Sequence, residues 1–148
     1  MALDKWDSRF SYMARMVSTW SKDPSTGCGA VIVDSRNIVR GLGYNGLPRR
    51  VDDHPERLHN RELRLALTLH AEANAILHSQ HPIRGCSLYV WPMPPCSRCA
   101  ALIIQAGISR VVAPAPAPDL ADRWGESIEL AVMAMREAGV KVDILDRP

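Results

Sequence analysis

The spacing of apolar residues along the chain alternates between the period of a helix and that of a strand. Residues 4–20 place large apolar side chains three or four positions apart, which predicts an amphipathic helix. The stretch SKDPSTG contains a proline and a glycine and ends that helix. Two β-branched runs follow, GAVIVD and NIVRGLGY, and the polar residues Ser35 to Asn37 that join them predict an antiparallel hairpin.

Helices and strands then alternate to the end of the chain. A polar stretch at 45–60 is interpreted as a long loop, and residues 61–80 have the propensity of one helix. The remaining predicted strands are 87–91, 108–113 and 140–145, and the remaining predicted helices are 96–106 and 119–138, each followed by a glycine. The order α-β-β-α-β-α-β-α-β predicts an α/β fold of three α/β/α layers, with helices on both faces of a mixed five-stranded sheet.

Composition is that of an ordinary globular protein. The chain has 148 residues, of which 47% are hydrophobic and 23% charged, so we expect a single domain over residues 1–148. A net charge of +2 is too small to indicate nucleic acid or a membrane as a partner. No apolar stretch is as long as a membrane span, and the first ten residues lack the apolar core of a signal peptide. We therefore expect a cytoplasmic protein whose four cysteines are thiols, ligands or core residues rather than disulfides.

Two short motifs carry the candidate chemistry. HAEANAIL begins with His70 and Glu72, a pair that alone is common at the solvated end of a buried helix. PPCSRC adds Cys96 and Cys99, which Pro95 would place in the first turn of a helix and one turn later. A lone C-x-x-C can also be a redox motif, and a structural zinc site would need a fourth protein ligand. One histidine, two cysteines and a nearby carboxylate instead favour a catalytic zinc site with an open coordination position.

The same motifs carry a family resemblance. H-x-E followed by P-C-x-x-C resembles the zinc-dependent cytidine/deoxycytidylate deaminase superfamily. SKDPSTGCGAVIVD, GLGYNGLPRRVDD, RGCSLYV and REAGVKV are similar, in that order, to segments of the deoxycytidylate deaminase branch, over about residues 21–142. The resemblance implies the cytidine deaminase-like fold and the hydrolysis of dCMP to dUMP and ammonia.

The resemblance also implies individual roles. His70, Cys96 and Cys99 would hold one Zn²⁺, and Glu72 would carry protons without binding the metal. The backbone N–H of Ala71 would hold the pyrimidine carbonyl. Substrate contacts beyond the base would come from Asn45, at the sugar hydroxyl, and Lys22, at the phosphate. The Arg49-Arg50 pair is the second candidate for the phosphate, although Arg50 replaces the smaller residue that the family usually has there. Because relatives are generally oligomers, we expect a homodimer or larger assembly.

Other functions stay open at this point. A deaminase of the same fold could act on a free nucleoside, a free base or adenosine in RNA, although the modest charge argues against RNA. A non-catalytic zinc-binding scaffold is the remaining alternative, and the presence of Glu72 argues against it.

Some local features depart from the family pattern or refine the helix prediction. The resemblance implies that a helix begins at HAE, so we expect residues 61–80 to break near Thr68, as an N-cap. WPMP, residues 91–94, makes the loop before Cys96 one residue longer than expected. Cys28 is predicted in a core strand and Cys86 in apolar packing. The histidines His54 and His59 are expected to be solvated.

Overall fold

One mixed sheet of five strands forms the centre of the molecule. The structure, a computed structural model, describes residues 3–146. Numbered in chain order, the strands are β1 (Gly29–Val33), β2 (Val39–Tyr44), β3 (Ser87–Trp91), β4 (Arg110–Pro114) and β5 (Lys141–Leu145). They lie in the order β2-β1-β3-β4-β5, where β1 is antiparallel to β2 and β3, and β3, β4 and β5 are parallel.

Helices cover both faces of this sheet. They are α1 (Lys5–Ser18), α2 (Pro55–His59), α3 (Arg61–Leu67), α4 (Ala71–His78), α5 (Ser97–Ala106) and α6 (Pro118–Glu137). One core cluster contains α1 residues with Val31 and Val33 of β1, and the other contains α4, α5 and α6 residues with Ala30 and Ile32. Successive β1 side chains thus enter opposite cores, which explains why all five β1 residues are buried and the strand is continuously apolar. The predicted three-layer α/β fold is confirmed.

Two glycines of β2 allow α4 to pack directly against the strand backbone. A Cβ added to Gly43 would lie 2.5 Å from the backbone N of Ala75, and one added to Gly41 would lie 2.8 Å from the Ala75 carbonyl oxygen. Only glycine permits so close an approach of helix and strand backbones. The Asn74 side chain then donates a hydrogen bond to the carbonyl oxygen of Tyr44 (2.8 Å), at the end of β2. The start of α4 is therefore fixed relative to the sheet.

Residues 61–80 form two helices, as the resemblance implied, but the predicted cap was wrong. Thr68 is the C-cap of α3, and His70 is the N-cap of α4. Between them Leu69 pairs with Gly46 through two backbone hydrogen bonds of 2.9 and 3.1 Å, which hold this segment extended. This pairing keeps Leu69 out of a helix, so Thr68 ends α3 instead of starting α4. The local sequence around Thr68 does not reveal the pairing.

The polar stretch at 45–60 is not entirely loop. It contains the short helix α2, which begins at Pro55 and whose N-cap His54 accepts a hydrogen bond from the Arg57 N–H (3.3 Å). None of its residues is buried, so no apolar periodicity could reveal it.

The remaining elements follow the sequence prediction closely. Gly107 and Gly139 have φ of 80° and 88° after α5 and α6, a conformation that favours glycine and ends both helices. The APAPAP stretch continues β4 through Pro114 and ends at Pro118, the first residue of α6. Among the described residues, no helix combines the length and apolar character needed to cross a membrane.

Candidate active site

His70, Cys96 and Cys99 form a cluster suited to one metal ion. Their ligand atoms all lie within 4.8 Å of one another, and they are the one such group of histidine, cysteine and acidic residues within residues 3–146. His70 Nδ1 lies 3.4 Å from Cys96 Sγ and 3.3 Å from Cys99 Sγ. Tetrahedral zinc with ordinary Zn–N and Zn–S bonds would separate nitrogen from sulfur by roughly 3.5 Å. The donor set and its spacing therefore fit Zn²⁺.

Two helices begin at this cluster. His70 is the N-cap of α4 and Cys96 the N-cap of α5, and within the described chain neither side chain makes a capping hydrogen bond. The hydrogen bond from the Cys99 thiol, together with His70, lowers the pKa of Cys96 to about 4, while the same pairing and burial raise the pKa of Cys99. The positive ends of the helix dipoles favour the same thiolate. These effects favour the thiolate form of Cys96, which is the form that binds a cation.

Glu72 lies beside the metal cluster without belonging to it. It occupies the first turn of α4 and is only 5% exposed. Burial raises its pKa, opposed by the charge of His70. Stabilising the protonated form of a carboxyl group makes it a better proton acceptor, which suits general acid–base catalysis.

A cavity of about 210 Å³ opens over this chemistry. His70, Glu72 and Cys96 border it, and the Trp124 ring meets the His70 ring edge to face, with 6.0 Å between their centroids. Apolar wall comes from the end of β3 and the loop that follows, at Val90, Trp91, Met93 and Pro94. Trp91 and Met93 of the longer WPMP loop therefore help to shape the cavity. A planar ring can therefore enter a partly apolar cavity whose polar groups include the metal cluster and Glu72.

Asn45 borders the cavity but already uses part of its hydrogen-bonding capacity. It is 6% exposed, its Oδ1 accepts from the Cys28 N–H (2.8 Å), and its Nδ2 donates to the Thr26 carbonyl oxygen (2.9 Å). One Nδ2 hydrogen and one Oδ1 lone pair remain for other partners. The sugar contact expected of Asn45 stays a prediction.

Neither Ala71 nor Lys22 is among the residues that border the cavity. Ala71 is the first residue of α4, so its N–H is among those that a helix leaves without an internal acceptor, next to His70 and Glu72. Lys22 does not border the cavity; its side chain is 68% exposed and its ammonium lies 2.7 Å from Asp53 Oδ2. The phosphate role expected of Lys22 also stays a prediction.

The two other cysteines have separate positions. Cys28 precedes β1 instead of lying in it and borders the cavity, and burial raises the pKa of its thiol. Cys86 is buried in the core cluster with α4, α5 and α6, which confirms the predicted apolar packing.

The sequence did not reveal several of the residues that border the cavity. Three of these residues are arginines, and none of the three lies in HAEANAIL or PPCSRC. The cavity is bordered by Arg61, Arg64 and Arg123, and also by Trp124. Arg64 lies between leucines in RELRLAL, which is the one feature of the sequence that could have indicated a buried arginine.

Comparison with known proteins decides the family. A family model described as the cytidine and deoxycytidylate deaminase zinc-binding region matches residues 4–115. The chain belongs to this family. Together with the His70, Cys96 and Cys99 cluster, membership identifies a zinc-dependent deaminase.

Individual relatives extend the match. The chain is 45% identical over 140 residues to an uncharacterised deaminase from the luxG 3' region of Aliivibrio fischeri, covering 95% of this chain and 93% of that protein. It is 40% identical over 114 residues to deoxycytidylate deaminase of Homo sapiens, covering 73% of this chain and 64% of the human protein. The dCMP deaminase of cyanophage S-TIM5, solved with dCMP and dUMP, superposes with a TM-score of 0.75 at 20% identity, covering 98% and 100% of the two chains. At that identity the last comparison supports the fold alone.

Proposed function

We propose that this chain hydrolyses the exocyclic amine of a cytosine nucleotide, converting dCMP and water into dUMP and ammonia. The observation that carries the proposal is the placement of Glu72 beside a three-residue zinc cluster, at a cavity large enough for a pyrimidine. The 40% identity to a deoxycytidylate deaminase favours the nucleotide among cytosine compounds.

The protein groups divide the reaction between them. Zn²⁺ held by His70, Cys96 and Cys99 would supply the chemistry of a Lewis acid that makes water nucleophilic near neutral pH. Glu72 takes one proton from the attacking water and gives it to N3 of the ring. It then takes the second proton from the hydroxyl now on C4 and gives it to the departing amine, which leaves as ammonia while the C4 carbonyl forms. Both transfers use the same buried carboxyl, so its return to the starting state completes the cycle.

Backbone and side-chain groups orient the base and the sugar. The Ala71 N–H donates to the pyrimidine carbonyl oxygen, which places C4 of the ring toward the metal cluster. The remaining Nδ2 hydrogen of Asn45 donates to the sugar hydroxyl, while the bonds of Asn45 to residues 26 and 28 keep its amide fixed. The apolar wall beside Trp124 limits bulk water around the ring.

The direct test is ammonia release by the zinc-loaded protein from cytosine, cytidine, deoxycytidine and dCMP. The proposal expects the highest kcat/KM for dCMP. A preference for the free nucleoside or base would favour the alternative deaminase of the same fold. Full zinc occupancy without turnover of any of the four would leave a non-catalytic scaffold or a deaminase of another base, such as adenosine in RNA.

We also propose that the chain works as a homo-oligomer. Four large apolar side chains on α4, α5 and α6 are about half or more exposed: Leu77, Leu102, Leu130 and Met133. Scattered exposed leucines are common in monomers, and Tyr12 and Met16 of α1 are about as exposed, so the support is the number of such side chains and not their confinement to one layer. Light scattering after size exclusion tests it, and a mass near 16.4 kDa would contradict it.

A further inference from the structure

A buried arginine in the active-site cavity has a hydrogen-bond donor without an acceptor. Arg64 of α3 is 8% exposed, and its Nη1 donates to the Leu58 carbonyl oxygen (2.8 Å). Its Nε makes no hydrogen bond to any residue that the structure describes. The nearest carboxylate oxygen, Asp23 Oδ2, is 3.7 Å away, beyond hydrogen-bonding distance. A buried Nε that has only this long ion pair and no hydrogen bond is costly, so its persistence suggests a ligand that completes it.

Asp23 is held in place by other bonds. Its Oδ1 accepts from the backbone N–H groups of Ser25 (2.8 Å) and Thr26 (3.2 Å). These bonds form the turn of the SKDPST segment and fix the carboxylate. Asp23 therefore sets the charge near Arg64 without satisfying its Nε.

Two further arginines border the same cavity from different helices. Arg61 lies one turn before Arg64 and is exposed. Arg123 of α6 donates to the hydroxyls of Ser25 (3.2 Å) and Thr26 (3.5 Å). Among the described residues that border the cavity, the acids are Asp23 and Glu72, and Glu72 lies at the metal cluster. Three guanidinium groups thus outnumber the two acids that border the cavity, although Asp119, outside the lining, lies 3.8 Å from Arg123.

We infer that Arg64, assisted by Arg61 and Arg123, binds the 5'-phosphate of the nucleotide and selects a phosphorylated substrate. This inference rests on the proposed function. With Nη1 anchored to Leu58, the edge formed by Nε and Nη2 remains as the side of the guanidinium that phosphate oxygens engage in pairs. The cavity that Arg64 borders is the one that His70 and Glu72 border, so one ligand can reach both ends.

The test compares dCMP with deoxycytidine, which share the base and sugar and differ in the phosphate. Arg64→Gln should lower kcat/KM for dCMP roughly 10- to 100-fold and leave that for deoxycytidine within about twofold. Arg64→Lys keeps the charge but not the paired donors and should fall between parent and Arg64→Gln. The control is Arg57→Gln, which removes an arginine of α2 that donates to the Asp52 carbonyl oxygen and does not border the cavity. It should change neither substrate.

A second readout avoids turnover. Calorimetry on the zinc-loaded parent should give tighter binding of dUMP than of deoxyuridine, and Arg64→Gln should remove most of that difference. If thermal melting shows that Arg64→Gln does not fold, Arg64→Lys and the exposed Arg123→Gln decide instead. Arg123→Gln should cost roughly twofold to fivefold for dCMP alone.

Each outcome separates this inference from the proposed function. Equal losses for dCMP and deoxycytidine in the Arg64 variants, or equal binding of dUMP and deoxyuridine by the parent, overturn the phosphate assignment while deamination stands. Absence of turnover with any cytosine compound overturns the proposed function, and the calorimetric comparison still decides the role of Arg64.

Discussion

The two ends of the cavity are built in different ways. At the metal end, His70, Cys96 and Cys99 come from two short motifs at the starts of α4 and α5. At the arginine end, the side chains come from α3, α6 and the SKDPST turn, and one buried donor lacks an acceptor. Both ends require segments distant in the chain to pack together, since His70 lies 26 positions before Cys96. The metal end differs because its residues stand in two recognisable motifs, whereas the arginines stand in none. If the arginines select the substrate as proposed, chemistry and substrate choice can change independently.

The largest effect should come from the thiolates of the metal end. Cys96→Ala or Cys99→Ala should abolish zinc binding and reduce activity on every substrate to background, because His70 alone cannot hold Zn²⁺ tightly. Elemental analysis of purified protein measures the metal. Cys86→Ala and Cys28→Ala are matched controls that should keep it. Full zinc occupancy in Cys99→Ala would contradict the assigned ligand set.

Glu72→Gln should separate metal binding from proton transfer. Glutamine has nearly the same shape but cannot carry protons, so we expect at least a ~10²-fold loss of kcat with zinc content near that of the parent. The loss should be equal for dCMP and deoxycytidine, unlike the selective loss expected for Arg64. A variant that deaminates at the parent rate would show that another group carries the proton.

Gly43→Ala should disturb the metal end indirectly, by displacing α4, the helix that begins beside His70. The added Cβ would lie 2.6 Å from the Ala71 carbonyl oxygen, so the start of α4 must move. We expect the free energy of unfolding to fall by roughly 1–3 kcal/mol, measured by urea denaturation, with both substrates losing activity together. The control is Gly125→Ala in α6, where an added Cβ meets nothing within 4 Å and the change should be neutral or mildly stabilising. An unchanged stability in Gly43→Ala would mean that α4 is free to shift.

Lys22→Ala should have the smallest effect and distinguishes two candidate phosphate ligands. The resemblance assigns the phosphate to Lys22, but the exposed pairing of Lys22 with Asp53 leaves it outside the cavity. If Arg64 binds the phosphate, kcat/KM for dCMP should change by less than about threefold, as for other exposed charges. A selective loss of 10-fold or more would return the role to Lys22.

The sequence predicted best what depends on neighbours along the chain. The metal ligands, the chain order of helices and strands, and the glycine-terminated helices all follow from spacings within one or two elements. Thr68 was misassigned because Leu69 pairs with Gly46, which lies 23 positions earlier. Arg64 escaped notice because an arginine in a short helix normally extends into solvent, and its burial depends on contacts with Leu58 and Asp23.

The bridge between Gly46 and Leu69 makes the segment between them a separate structural unit. Its two backbone hydrogen bonds close residues 47–68 into a loop whose ends are clamped beside Asn45 and His70. Both hydrogen bonds join backbone atoms, so they do not depend on the side chains of the enclosed segment. The enclosed residues, including Arg61 and Arg64, can therefore be replaced together by the corresponding segment of a relative. Grafting this segment between related deaminases should transfer preference for the substrate's non-reacting end while the recipient retains its zinc.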